Sequence, residues 1–266
     1  MTFIDKLLNA SRKNESWLCI GLDPDPELLP KVDVVQFNKA IIEATSDLVC
    51  AYKPNLAFYE ALGTEGFTIL EKTIKPIPAD IPVIGDAKRG DIGNTARAYA
   101  RALFSVLGFD AATVTPYLGF DSIEPFISYE DKGVFILCRT SNKGATDFQD
   151  LRTNGLPLYE AVARKAKEWN IHGNIGLVVG ATYPEELKRI RSICPDMPLL
   201  IPGVGAQGGD LASAVSYGVD IRGEKAIINL SRQVLYASKE KDFAQAARNV
   251  AEKIRNQIND YRNKAR

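Results

Sequence analysis

The chain has 266 residues, 45% of them apolar and 25% charged, with 33 Lys+Arg against 33 Asp+Glu. That length suits one (β/α)₈ barrel or two small domains, and the composition is that of a globular chain rather than a disordered one. A formal net charge of zero argues against a general nucleic-acid or membrane-surface binder. A small anionic substrate stays open, because one Arg at a helix start is enough to hold a phosphate.

Phe3, Ile4, Leu7 and Leu8 recur at helical spacing and predict a first helix, over about residues 2–12, that closes the bottom of the fold. Asp5 and Lys6 interrupt this stretch, so it does not read as a signal peptide. Eight short apolar runs follow: Trp17–Gly21, Val49–Lys53, Pro82–Asp86, Ala111–Thr115, Val134–Cys138, Ile175–Val179, Leu199–Pro202 and Ala226–Leu230. Most are unbroken rather than alternating, which suits parallel strands covered on both faces. None approaches the length of a membrane span.

Helical periodicity fills the gaps. Phe37, Ile41, Ala44 and Leu48 share one face, as do Tyr99, Ala102, Leu103 and Val106. Thr182 followed by Tyr183, Pro184 and Glu185 predicts a capping box with proline in the first turn. Phe243, Ala247, Val250, Ile254 and Ile258 predict a last helix over about residues 242–262. The longest stretch without a period, Arg139 to Leu156, is polar and glycine-containing, as lids and binding loops are. No linker or repeat interrupts the pattern. The expected architecture is therefore α/β: a single-domain (β/α)₈ TIM barrel over residues 1–266.

Cys19, Cys50, Cys138 and Cys194 lie far apart, with no CxxC pair. They read as reduced thiols of a cytoplasmic protein, Cys19 and Cys138 as small buried hydrophobes. His172 is the one histidine and reads as a surface residue, which removes His-based triads and multi-His metal sites.

In such barrels the active site lies at the C-terminal strand ends. Here those ends carry Asp23, Lys53, Asp86-Ala-Lys88-Arg-Gly-Asp91, Thr115, Thr140-Ser141-Asn142, Thr182, Gly203–Gly209 and Ser231-Arg232. Asp86 and Lys88 are two apart and point to the same side of a strand. If that side is the interior, both charges are buried at the mouth, where only pairing makes them tolerable. Lys53, on the neighbouring strand, supplies another cation. The bland alternative is a solvated charge cluster on a loop.

The segment from Gly203 to Gly208 matches GxGxxG. A dinucleotide-binding reading fails, because the segment follows the seventh strand and too little chain remains for a Rossmann half. A phosphate-gripping loop fits better: barrels commonly bind phosphate between the loops after strands seven and eight, and Arg232 at the start of the last unit adds a bidentate cation.

Asp86-Ala-Lys88-Arg-Gly-Asp91-Ile-Gly-Asn-Thr95 resembles the signature of the orotidine 5′-phosphate decarboxylase family, in particular its second bacterial sequence group. Ile20-Gly-Leu-Asp23-Pro, Ala51-Tyr-Lys53-Pro-Asn, Arg139-Thr-Ser141-Asn, Pro202-Gly-Val-Gly-Ala-Gln207-Gly-Gly and Asn229-Leu-Ser-Arg232 are similar to further family segments, in family order, from Trp17 to Ala237. The resemblance implies a carboxy-lyase of pyrimidine biosynthesis that converts orotidine 5′-monophosphate to UMP and CO₂ without metal or cofactor. It implies Lys88 as proton donor to C6, Asp86, Asp91 and Lys53 as its catalytic neighbours, and Asp23, Thr95, Ser141, Gln207 and Arg232 as substrate-binding residues. It also implies a homodimer whose active site is shared across the interface, with Asp91 and Thr95 crossing to the other subunit. Lys143 departs from the pattern, standing where Pro is expected, and bears on lid rigidity. Two rivals remain: a Mg²⁺-dependent sugar-phosphate lyase or decarboxylase on the same barrel, and a non-catalytic phosphoribosyl-binding module.

Overall fold

The computed structural model describes residues 1–205 and 207–264; Ala206, inside the glycine-rich segment, and residues 265–266 of the expected domain lie outside them. All eight predicted runs form strands within three residues of their expected limits. They are β1 (Leu18–Leu22), β2 (Ala51–Pro54), β3 (Ile84–Arg89), β4 (Ala111–Val114), β5 (Gly133–Arg139), β8 (Ile175–Val179), β9 (Leu199–Ile201) and β10 (Ala226–Leu230), while β6 (Arg152–Thr153) and β7 (Leu156–Pro157) form a small antiparallel hairpin outside them. The main sheet is parallel, in the order β2-β1-β10-β9-β8-β5-β4-β3. Bridges from Tyr52 to Val83 and from Asn55 to Asp86 join its two edges, so the sheet closes into a barrel. Closure leaves no edge for another chain to pair with.

The unbroken apolar runs have a simple cause. Each strand faces the barrel interior on one side and a ring of helices on the other, so β1, β4, β8 and β10 are buried at every position. The first helix, Phe3–Lys13, begins with a capping box between Thr2 and Asp5. Its Phe3 ring stacks edge-on against Phe135, at 5.7 Å between centroids, and covers the barrel bottom as expected. The last helix, Phe243–Lys264, buries Phe243, Ala247, Ile254 and Ile258 from the predicted stripe. Four free, buried cysteines fit the reading of Cys19 and Cys138 as small hydrophobes.

Two local expectations fail for identifiable reasons, and a third is refined. Ala102–Val106 winds as a π-helix, closed by a bond from the Leu107 N–H to the Ala102 carbonyl. The wider turn rotates the face that follows it, so Phe104 is buried and Val106 is exposed. Thr182 does not cap the helix Pro184–Ile193; its hydroxyl donates to the Ser141 carbonyl at 3.0 Å, and Tyr183 takes the N-cap position without a side-chain bond. The stretch from Arg139 to Leu156 is less irregular than its composition suggests, holding a 3₁₀ turn at Lys143–Asp147 and the β6–β7 hairpin.

Close packing also fixes small residues. A Cβ added to Gly85 would lie 2.6 Å from the fully buried Phe109 ring. Gly85→Ala is expected to lower stability by about 1–3 kcal/mol, as overpacking does, read as a lower denaturant midpoint at constant slope.

Candidate active site

The cavity at the C-terminal strand ends has a volume of about 560 Å³. Its floor is a chain of charges. Lys53, with its side chain 5% exposed at the end of β2, donates to Asp86 Oδ2 at 2.9 Å. Asp86 Oδ1 accepts from Lys88 Nζ at 2.6 Å and from Thr113 Oγ1 at 2.9 Å. Both oxygens of one carboxylate thus carry an ammonium each.

Lys88 reaches that position by an irregular route. The β3–β4 register shifts between Gly85 and Arg89, and Lys88 takes a φ of +47°. Such a left-handed conformation costs a non-glycine residue about 1–2 kcal/mol. Thr113 secures it, its hydroxyl accepting from the Lys88 N–H at 3.0 Å. The side chain consequently stands at the mouth, 49% exposed, rather than buried beside Asp86 as a regular strand would place it. One face of its ammonium is tied to Asp86 and the rest is open to the cavity.

Burial alone would push the Asp86 carboxyl up, but the Lys53 and Lys88 ammoniums override it and hold it well below the usual carboxylate range. Burial likewise opposes the charge on Lys53, and Asp86 and Asp23 overcome it, raising Lys53 above its ordinary value. The Lys53–Asp86 pair is therefore ionised throughout the neutral range, a fixed dipole that needs no reorganisation when charge changes beside it.

Asp23, at the end of β1, accepts from the Asn55 N–H at 3.2 Å and from the Ser231 hydroxyl at 2.5 Å. Opposite the charges lies the glycine-rich segment, where Gly203, Gly205 and Gly208 have φ of +95°, +69° and +88°. Those angles turn the backbone in a way that β-carbons resist, which is what the glycines supply. Arg232 opens the short helix Arg232–Leu235 on the same wall, with an exposed side chain. Ser141, after β5, donates to Gln207 Oε1 at 2.6 Å, so the two candidate lid segments touch across the opening.

Seven of the nine sequence-predicted residues thus line one cavity: Asp23, Lys53, Asp86, Lys88, Ser141, Gln207 and Arg232. Asp91 and Thr95 do not. Gly90 packs against Thr115 and Gly93 turns with φ +57°, so the chain leaves the mouth and starts the helix Gly93–Arg101. The Asp91 carboxylate accepts from the adjacent Ile92 N–H at 2.8 Å, and Thr95 is exposed on the helix's first turn. His172 is partly exposed, with Nδ1 3.3 Å from Glu130.

Among the polar lining residues, Asn55, Thr113, Asn229 and Gln233 were given no role in the site from sequence. Asn229 had a readable signal, since an amide inside the run Ile227-Ile228-Asn229-Leu230 is the kind of buried polar group that marks an interior with a polar use. Thr113 had none, because a threonine is an ordinary strand residue.

A family model described as "Orotidine 5'-phosphate decarboxylase / HUMPS family" matches residues 16–249. The chain belongs to this family. An orotidine 5′-phosphate decarboxylase from Dehalococcoides mccartyi is 57% identical over 267 aligned residues, covering 98% of this chain and 99% of the relative. The enzyme of the same name from Cellvibrio japonicus is 55% identical, covering 97% and 98%. Among solved structures, the OMP decarboxylase of Leishmania donovani superposes with a TM-score of 0.88 at 42% identity, covering 98% of this chain and 99% of that one. The family's barrel is the barrel found here, and the matched span contains every residue of the cavity.

Proposed function

We propose that this chain decarboxylates orotidine 5′-monophosphate to UMP and CO₂, with Lys88 as the proton donor to C6 and side chains alone supplying the stabilisation. The observation that carries this reading is the Lys53–Asp86–Lys88 chain, with one ammonium half open to a cavity whose far wall is Arg232 and the glycine turns. When the C6–carboxylate bond breaks, the electron pair stays on C6. A cation already fixed at that place stabilises it without reorganisation, and the same ammonium delivers a proton to C6 and is reprotonated from solvent. Asp86 orients Lys88; Lys53 holds Asp86 and faces the ribose together with Asp23. Phosphate held by Arg232 draws Ser141 and Gln207 over the base, so that binding far from C6 serves the reacting carbon.

The reading includes a cytoplasmic homodimer of one-domain subunits spanning residues 1–266, with Asp91 and Thr95 completing the cavity of the other copy. Their position outside the cavity of their own chain supports this, as does the exposed apolar residue Ile92 between them in sequence. Free, buried thiols support the compartment, and no described helix is long and apolar enough to cross a membrane.

Loss of orotate absorbance on adding orotidine 5′-monophosphate tests the reading. The expected result is turnover unchanged by EDTA. Nucleotide binding without an absorbance change would favour the phosphoribosyl-binding module, and turnover abolished by EDTA the metal-dependent lyases.

A further inference from the structure

Ser141 projects from the first turn of a long loop, yet its hydroxyl has to meet Gln207 across the cavity. What holds it there lies behind the cavity wall. Arg139, the last residue of β5, does not line the cavity and is buried, with its side chain 1% exposed. Its guanidinium carbon sits 3.8 Å from the centroid of the Tyr183 ring and 5.8 Å from that of Tyr159. Its edge faces the returning part of the loop, at 3.4 Å from Gln149 Oε1 and 3.3 Å from an Asp150 carboxylate oxygen. Gln149 passes the restraint on: its Oε1 accepts from the Thr140 N–H at 2.9 Å and its Nε2 donates to Thr140 Oγ1 at 2.8 Å. On the other side, Thr182 donates to the Ser141 carbonyl, and a Cβ on Gly180 would come within 2.7 Å of Ser141 Cα.

We propose that Arg139 is a positioning residue for the reaction, acting through Ser141; this rests on the functional reading above, in which Ser141 closes over the substrate. The chemistry asks for a guanidinium in particular. A flat cation stacks its face on Tyr183 while its edge reaches Gln149 and Asp150, so a single side chain fastens the base of the Thr140–Gln149 loop to the barrel. An ammonium has neither the face nor the fork. The Arg139 Nε has no hydrogen-bond partner among the described residues, and the Tyr183 ring stacks on the buried guanidinium.

A double-mutant cycle on orotidine 5′-monophosphate turnover tests this, using wild type, Ser141→Ala, Arg139→Met and the double variant. Arg139→Met is expected to lower kcat/KM about 30-fold, and Arg139→Lys to fail to restore it. The loss from Ser141→Ala, about tenfold in the wild-type background, is expected to shrink below about twofold on Arg139→Met, because the loop is already adrift. Losses that multiply overturn the proposal, as do a wild-type rate in Arg139→Met or a Ser141→Ala variant without effect. If Arg139→Met does not fold, Tyr183→Leu completes the same cycle under the same criteria. A wild-type chain that leaves the orotate absorbance unchanged overturns the functional reading as well; an active wild type with multiplying losses overturns only the role of Arg139.

Discussion

Lys88→Ala is expected to lower decarboxylation about 10⁴-fold or more while changing UMP affinity by less than about threefold. The size follows from two functions leaving together. Positioned general acids contribute about 10²–10⁴-fold, and a preorganised charge at the site of developing charge about 10²–10³-fold. UMP carries a hydrogen at C6 and no carboxylate, so it does not exploit the ammonium, and its affinity reads the rest of the cavity. The fold should tolerate the change. The Lys88 side chain is half exposed, and Asp86 keeps Lys53 at 2.9 Å and Thr113 at 2.9 Å, so no buried carboxylate is left alone. Alanine is no less suited than lysine to the φ of +47°. Stopped-flow absorbance gives the rate, calorimetry with UMP the affinity, and a thermal midpoint close to wild type shows the variant folded. Near-normal turnover would remove Lys88 from its role.

The barrel was legible because parallel strands sheathed by helices must be apolar on both faces, and eight such runs at helix-length spacing leave few other folds for one neutral chain. The glycine-rich wall was legible because glycines that take positive φ, beside an arginine at a helix start, stand together at the strand ends. What stayed hidden was geometry that breaks a period. Asp86 and Lys88 obey the two-residue rule for sharing a side, yet the register shift and the left-handed Lys88 decide that one is buried and the other open. No residue type announces that turn, since the usual announcement is glycine or asparagine. The π turn at Ala102–Val106 is silent for the same reason, its sequence being that of any helix. Thr182 shows the opposite hazard: its local pattern fits a cap, but a tertiary partner, the Ser141 carbonyl, takes the hydroxyl. Arg139, alone in an apolar stretch, was readable as part of a family segment but not as a residue whose partners Gln149, Asp150 and Tyr183 lie up to 44 positions away.

Arg232→Ala is expected to weaken UMP binding about 10–100-fold, a hydrogen-bonded charge pair on a phosphate being worth roughly 1.5–3 kcal/mol. The effect on kcat/KM for orotidine 5′-monophosphate should be at least as large if, as proposed, the phosphate interaction also draws Ser141 and Gln207 over the base. Orotidine, which lacks the phosphate, separates this from general damage: its turnover should change less than about threefold, since the lost guanidinium has nothing there to hold. The structure gives little reason for collateral damage. Arg232 is exposed at the head of a four-residue helix and has no ion pair among the described residues, so its removal leaves no buried partner uncompensated. The backbone N–H groups of the glycine turns remain, which is why a residual phosphate preference is expected rather than its complete loss. Raising ionic strength should weaken the wild type toward the variant, because an exposed cation on a dianionic phosphate is screened within about 8–10 Å at physiological salt. Equal losses on the nucleotide and the nucleoside would show that Arg232 supports the wall rather than the phosphate.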